Sequence, residues 1–130
     1  MTQIHANGAE LDRLSNVVIG CALTVLNTLG VGFLEKIYEN ALALEMRGRG
    51  LSVARQFAID VRYRDVVVGE YFADLLVEDG LLIELKVARA LDDAHRAQCL
   101  NYLRATGLRL GLLLNFGQPR LGIQRIVNSL

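Results

Sequence analysis

The chain has 130 residues, 52% of them apolar, and its 14 basic and 14 acidic side chains cancel. That length suits one domain, spanning 1–130, with a core of its own. Zero net charge excludes a globally cationic binder of nucleic acid or membrane, so any contact with a polyanion must use a local patch.

The opening "MTQIHANGAELDRL" has no basic segment followed by an apolar run and does not read as a signal peptide. From about Glu10 to Leu29, Leu14, Val18, Ala22 and Val25 recur at helical spacing and predict a first helix. Its apolar core, "VVIGCALTVL", is too short to span a bilayer. Glycines 30 and 32 break the pattern. "FLEKIYENALALEMRGRG" then reads as a second helix, with Leu34, Ile37, Ala41 and Leu44 on one side and Gly48 and Gly50 at its end. The period changes next. "SVARQFAIDVRYR", "VVVGEYFADLLVE" and "LLIELKV" are rich in β-branched and aromatic residues, with turn candidates at Arg64-Asp65 and Asp79-Gly80, and predict an antiparallel meander. "DDAHRAQCLNYLRATG" predicts a third helix capped by Asp92 and stopped by Gly107. "RLGLLLNFG" and "GIQRIVN" supply two more strands, the first placed to return parallel beside the meander. The order ααβββαββ predicts an α/β (α+β) domain with one mixed sheet and helices on both faces.

Cys21 and Cys99 lack metal-ligand spacing and read as buried thiols in a reducing cytoplasm. The mean hydropathy, +0.31, leaves apolar surface for a second copy, so a homodimer is expected.

One segment breaks the apolar pattern. In "LLIELKV", Glu84 and Lys86 lie two apart and project from one face of a strand whose other positions are apolar. Desolvation makes such a pair costly without further partners. Asp74 places a second carboxylate inside the apolar run "YFADLLV" of the preceding strand. Two converging carboxylates suit a hard divalent cation such as Mg²⁺, with water and phosphate oxygens completing its octahedron. An adjacent lysine orients the attacking water and stabilises charge on the transition state.

"YFADLLVEDGLLIELK" resembles the D-x(n)-E-x-K core of the PD-(D/E)XK nuclease superfamily, with Ala73 where the name has proline. "GFLEKIY", carrying Gly32, Glu35 and Tyr38, resembles the motif of its GxxExxY branch, and the similarity continues through "AQCLNYL" and "GLLLNFG". The resemblance implies a restriction-endonuclease-like core that hydrolyses phosphodiester bonds of nucleic acid, with DNA the expected substrate, Mg²⁺ the cofactor and Mn²⁺ a substitute. It implies Asp74, Glu84 and the Leu85 carbonyl as metal ligands, Lys86 as the catalytic lysine, and Glu35 and Gln98 as supporting catalytic groups. Tyr38 and Tyr102 are implied to wall the substrate cleft. His95 shares the stripe of Gln98 and Tyr102 and is weighed as a satisfied polar group. Asn115 is open between a turn and a functional role. Arg47, Arg49, Arg55, Arg62, Arg64 and Arg89 are the residues available for a cationic track. A nuclease-fold protein that binds or assembles with little turnover is the competing expectation.

The site assembles in only one hairpin register. A two-residue turn at Asp79-Gly80 would put Asp74 opposite Leu85, on the face away from Glu84. A three-residue loop, Glu78 to Gly80, pairs Val77 with Leu81 and puts Asp74 level with Glu84. We therefore expect the three-residue loop, closed by Gly80 in a left-handed conformation.

Overall fold

The structure, a computed structural model, describes residues 8–129. The first seven residues, read above for a targeting signal, lie outside the described residues. Eight elements follow in chain order: α1 (Gly8–Leu29), α2 (Glu35–Gly48), β1 (Val53–Tyr63), β2 (Val66–Val77), β3 (Leu81–Lys86), α3 (Asp93–Thr106), β4 (Leu110–Asn115) and β5 (Gly122–Val127). They form one mixed sheet in the order β1-β2-β3-β4-β5. Only β3 and β4 are parallel, joined through α3. This is the expected architecture. Among the described residues no helix is long and apolar enough to cross a membrane.

Apart from Glu84 and Lys86, the central strands β3 and β4 are largely apolar on both sides because both faces are covered. Leu81, Ile83 and Leu85 of β3 and Leu110, Leu112 and Leu114 of β4 share a core with Val18, Ala22 and Val25 of α1 and Leu42 and Met46 of α2. Leu82 and Leu113 point the other way, into a second core with Cys99 and Leu103 of α3.

The buried face of α2 differs from the sequence expectation. Leu34, Ile37 and Leu44 are exposed, and Tyr38, Leu42, Ala43 and Met46 are buried together with Glu39. This helix is apolar around much of its circumference, so spacing alone left two arcs available. The arc that holds Tyr38 and Leu42 faces the sheet, and Glu35 borders it.

The third helix begins and ends where its sequence says. Asp92 accepts from His95 N–H at 2.8 Å, and His95 Nδ1 accepts from Asp92 N–H at 3.3 Å. The two residues thus form a capping box. His95 is occupied by this cap. Gly107 terminates the helix at φ 76°, the left-handed conformation that glycine adopts without steric cost.

Candidate active site

The strands β1 and β2 form a long ribbon that turns over partway along. Phe57 and Ile59, with their partners Ala73 and Tyr71, pack beneath α3, whereas Val53, Leu75 and Val77 pack beneath α1 and α2. Alternate residues of a regular strand share a face, so the alternation slips between Val53 and Phe57 and between Ala73 and Leu75. The slip falls at Gln56 and Asp74, which take no part in the ribbon's register, and Gln56 adopts φ 50°.

A residue missed by sequence reasoning holds that kink. Glu39 of α2 is 2% exposed. Its Oε1 accepts from Gln56 Nε2 at 2.9 Å, and its Oε2 accepts from Lys36 Nζ and Arg55, each at 3.0 Å. Burial raises its proton affinity, but the donors Lys36, Arg55 and Gln56 together outweigh burial and hold the carboxyl below its ordinary range. A glutamate in the middle of "KIYENAL" gives no signal of this, because its partners come from another element.

Across the ribbon, β2 and β3 pair as Val77↔Leu81, Leu76↔Leu82 and Leu75↔Ile83, the register that makes Asp74 and Glu84 neighbours. The loop is Glu78 to Gly80, but its left-handed residues are Glu78 and Asp79, at φ 51° and 55°, and not Gly80. Two consecutive left-handed residues match the twist of the flanking strands. Glu78 is held there by Ser52, whose N–H donates to its carboxylate at 2.8 Å and whose carbonyl accepts its N–H at 2.9 Å.

The β2–β3 ladder stops at Leu75↔Ile83, and Asp74 replaces the next backbone partner with its side chain. Its Oδ2 accepts from Leu85 N–H at 2.8 Å. In an extended strand the N–H and C=O of one residue point the same way. The Leu85 carbonyl therefore also faces the Asp74 side, whereas the Lys86 carbonyl faces β4 and accepts from Phe116 N–H at 2.9 Å.

Glu84 is 2% exposed, and its Oε1 has no hydrogen-bond partner. Burial pushes its carboxyl up to about 9, and the hydrogen bond and charge of Asp74 push in the same direction. An orphaned buried carboxylate oxygen is costly. Beside a second carboxylate and the Leu85 main-chain carbonyl, it belongs to a donor set that fits a hard divalent cation. Among the described residues no three His, Cys, Asp or Glu side chains converge as a metal site.

Other groups gather around this pair. Lys86 Nζ donates to Gln98 Oε1 at 3.4 Å. Gln98 and Tyr102 lie one turn apart on α3, and Tyr71 stands against Tyr102. The Tyr71 and Tyr102 rings stack at 3.8 Å. Burial raises both phenols and the Glu84 charge raises them further, so they serve as neutral hydrogen-bonding groups. Tyr71 escaped the sequence reading because it lies three residues from Asp74, off the expected face until the ribbon turns over. Glu35 stands exposed at the start of α2, where partial desolvation and the Asp74 charge raise its carboxyl and Lys86 lowers it. The structure thus brings Glu35, Asp74, Glu84, Leu85, Lys86, Gln98 and Tyr102 to one region.

Tyr38 does not join them. It is fully buried, stacked on Phe116, and its hydroxyl donates to Gly30 O at 2.6 Å and accepts from Phe33 N–H at 3.3 Å. Its expected place in a substrate wall is corrected: it ties down the turn from which Glu35 emerges. Asn115 proves to be a clamp. Its amide accepts from Ala88 N–H and donates to Ala88 O, each at 3.0 Å, and also accepts from Gly117 N–H at 3.0 Å. It continues the β3–β4 pairing one step past Lys86 with a side chain. A Cβ on Gly117 would lie 2.3 Å from Ala88 O, so only glycine fits beside the clamp. The arginines available for a cationic track have local partners where their contacts are seen. Arg49, Arg55 and Arg62 are each paired with a carboxylate, and Arg64 lies over Tyr63.

No curated protein matches the chain. Among solved structures it is similar to an alkaline exonuclease, LHK-Exo, from Laribacter hongkongensis, at 13% identity with a TM-score of 0.55, over 97% of this chain and 73% of that one. It is also similar to SSO0001, at 19% identity with a TM-score of 0.57, over 73% of this chain. That match spans half the length of SSO0001. Both likenesses are of fold. The model of the PD-(D/E)XK nuclease superfamily matches residues 12–126, nearly the whole chain, and so the chain belongs to that superfamily.

Proposed function

We propose that this domain, of the GxxExxY branch on the strength of Gly32, Glu35 and Tyr38, is a Mg²⁺-dependent nuclease that hydrolyses phosphodiester bonds of DNA in the cytoplasm, with Mn²⁺ as a substitute. The observation that carries this is the unpartnered Glu84 Oε1, buried beside Asp74 and two residues from Lys86. Asp74, Glu84 and the Leu85 carbonyl would hold the cation, whose chemistry there would be to offset the negative charge of carboxylates and phosphate and to lower the pKa of water.

The chain's own side chains do the rest. Lys86, steadied by Gln98, orients the attacking water and donates to a phosphate oxygen as charge develops there. Glu35 is exposed, with its proton affinity raised, and is suited to exchange protons with water at the mouth of the site. Tyr102 carries the wall behind Gln98. One site cuts one strand per encounter, and cutting both strands requires a second copy.

Calorimetry with Mn²⁺ tests the division of roles. Lys86→Ala keeps wild-type affinity and loses cleavage, whereas Asp74→Ala loses both. Equal affinities in the two variants would overturn the assignment. The zero net charge and the arginines paired with carboxylates favour one competing reading, a binding module without turnover. It predicts DNA retention that does not change with the cation.

A further inference from the structure

The outer edge of β1 is unpaired among the described residues, because β1 ends the sheet. Its final stretch, Ala58-Ile59-Asp60-Val61-Arg62-Tyr63, alternates the charges of Asp60 and Arg62 with exposed apolar side chains, and its pairing with β2 shifts register between Val61 and Arg62. Val61 is 40% exposed and Tyr63 62% exposed, and across the ribbon Val66 is 62% exposed. A long edge with exposed apolar residues is a template for pairing.

We propose that a second copy of this chain pairs antiparallel with that edge, on a two-fold axis through Val61. The register follows from charge. Placing Val61 opposite itself puts Asp60 opposite Arg62 of the other copy, and Arg62 opposite its Asp60. It also puts Ile59 opposite the other Tyr63. A displacement by two residues would set Asp60 against Asp60 or Arg62 against Arg62, and like charges directly opposite are unfavourable. Within one copy Asp60 already faces Glu70 across the ribbon, a like-charged pair. Its own Arg62 is 3.9 Å away on the exposed side. The second copy would bring another Arg62 opposite Asp60, adding to the long intrachain pair at 3.9 Å.

Shape agrees with charge. Beside this edge, on the α3 face, lies an open cleft of about 730 Å³, lined by Ile59 and Val61 of β1 and by Asn101 and Arg104 of α3. The site residues Asp74, Glu84 and Lys86 do not line it. Ile59 packs toward α3, and residues directly opposite in an antiparallel pair share a face, so the other copy's Tyr63 enters this cleft. Its ring lies along the cleft beside Val61, which is 40% exposed, with Asn101 and Arg104 on the opposite wall. The dimer joins two five-stranded sheets into one continuous sheet. The interface gives a location to the pairing of copies proposed above, but hydrolysis at a single site does not depend on it.

Light scattering at about 100 μM tests the register. Wild type is expected at twice 14.4 kDa. Asp60→Arg and Arg62→Asp each act at both symmetry-related pairs and weaken the dimer by roughly tenfold or more. The double variant carrying both exchanges restores it, because each introduced arginine then meets an introduced aspartate of the other copy. Val61→Cys supplies a second measurement. Opposed residues place their Cα atoms about 4.5–5.5 Å apart, within disulfide range. Mild oxidant then yields a covalent dimer, while the native Cys21 and Cys99 are buried. Asp60→Arg still nicks a single strand, which separates loss of the interface from loss of the site. A monomeric wild type, a dimer indifferent to both single exchanges, or a Val61→Cys protein that stays monomeric under oxidant would overturn the proposal.

Discussion

Replacing Glu84 with glutamine should stabilise the metal-free protein, by an amount that grows with pH. In the folded chain the Glu84 carboxyl is pushed up to about 9 by burial and by Asp74, against an ordinary value of 4.5. Between these values the folded state keeps a proton that the unfolded state releases. Raising the pH therefore favours unfolding, with up to a tenfold change in the folding equilibrium for each pH unit. From 4.5 to 7 this amounts to about 3 kcal/mol, an upper figure because the site can relax or admit water. Glutamine keeps the shape of the protonated acid and removes the titration. Urea melts in EDTA at intervals from pH 5 to pH 8 check this: the two proteins should agree at the acid end and diverge steadily above it. Mg²⁺ should then close the gap by stabilising wild type alone, since only the carboxylate binds it. Parallel pH profiles for the two proteins would show that Glu84 is not a strained buried acid, and the argument for a cation beside it would lose its basis.

Asn115→Ala removes one donor and two acceptor contacts at Ala88 and Gly117, and should cost about 2–3 kcal/mol. It should also lower kcat more than it raises KM, because the segment after Lys86 shifts; a fall in neither would reduce Asn115 to a surface turn. Glu39→Ala leaves Gln56 without its anchor and should cost about 1–2 kcal/mol in chemical denaturation, the pairs with exposed Lys36 and Arg55 being partly screened. Because the Glu39 carboxyl is held low, its contribution is present at neutral pH and disappears on acidification below the ordinary glutamate range. Mn²⁺ affinity should fall in this variant although Glu39 touches no metal ligand. Tyr38→Phe should cost about 1 kcal/mol and leave KM unchanged, as expected of a buried tether to Gly30.

The elements were legible because each carries its own punctuation: Asp92 and Gly107 bound α3, and the shift to β-branched runs after Gly50 announces the meander. The candidate site was legible at Asp74, Glu84 and Lys86, where charge interrupts an apolar pattern and only one hairpin parity lets the carboxylates meet. Features that depend on contacts between distant elements were not legible. The turnover at Gln56 breaks the two-residue period without any glycine or proline to mark it, which hid Tyr71 and the role of Glu39. Spacing could not choose between the two apolar arcs of α2. Resemblance alone puts Tyr38 in the cleft, and its hydroxyl instead satisfies a turn eight residues upstream.

Hydrolysis of a 5′-labelled DNA, in single-stranded, duplex and branched forms, with Mg²⁺ or Mn²⁺ and with EDTA, decides whether the buried carboxylate pair supports cleavage. Wild type should cleave only with the cation, and Glu84→Ala should not cleave at all. Cleavage that survives in EDTA or in Glu84→Ala would contradict this, as would a wild-type protein that binds Mn²⁺ at Asp74 and Glu84 but leaves every substrate intact.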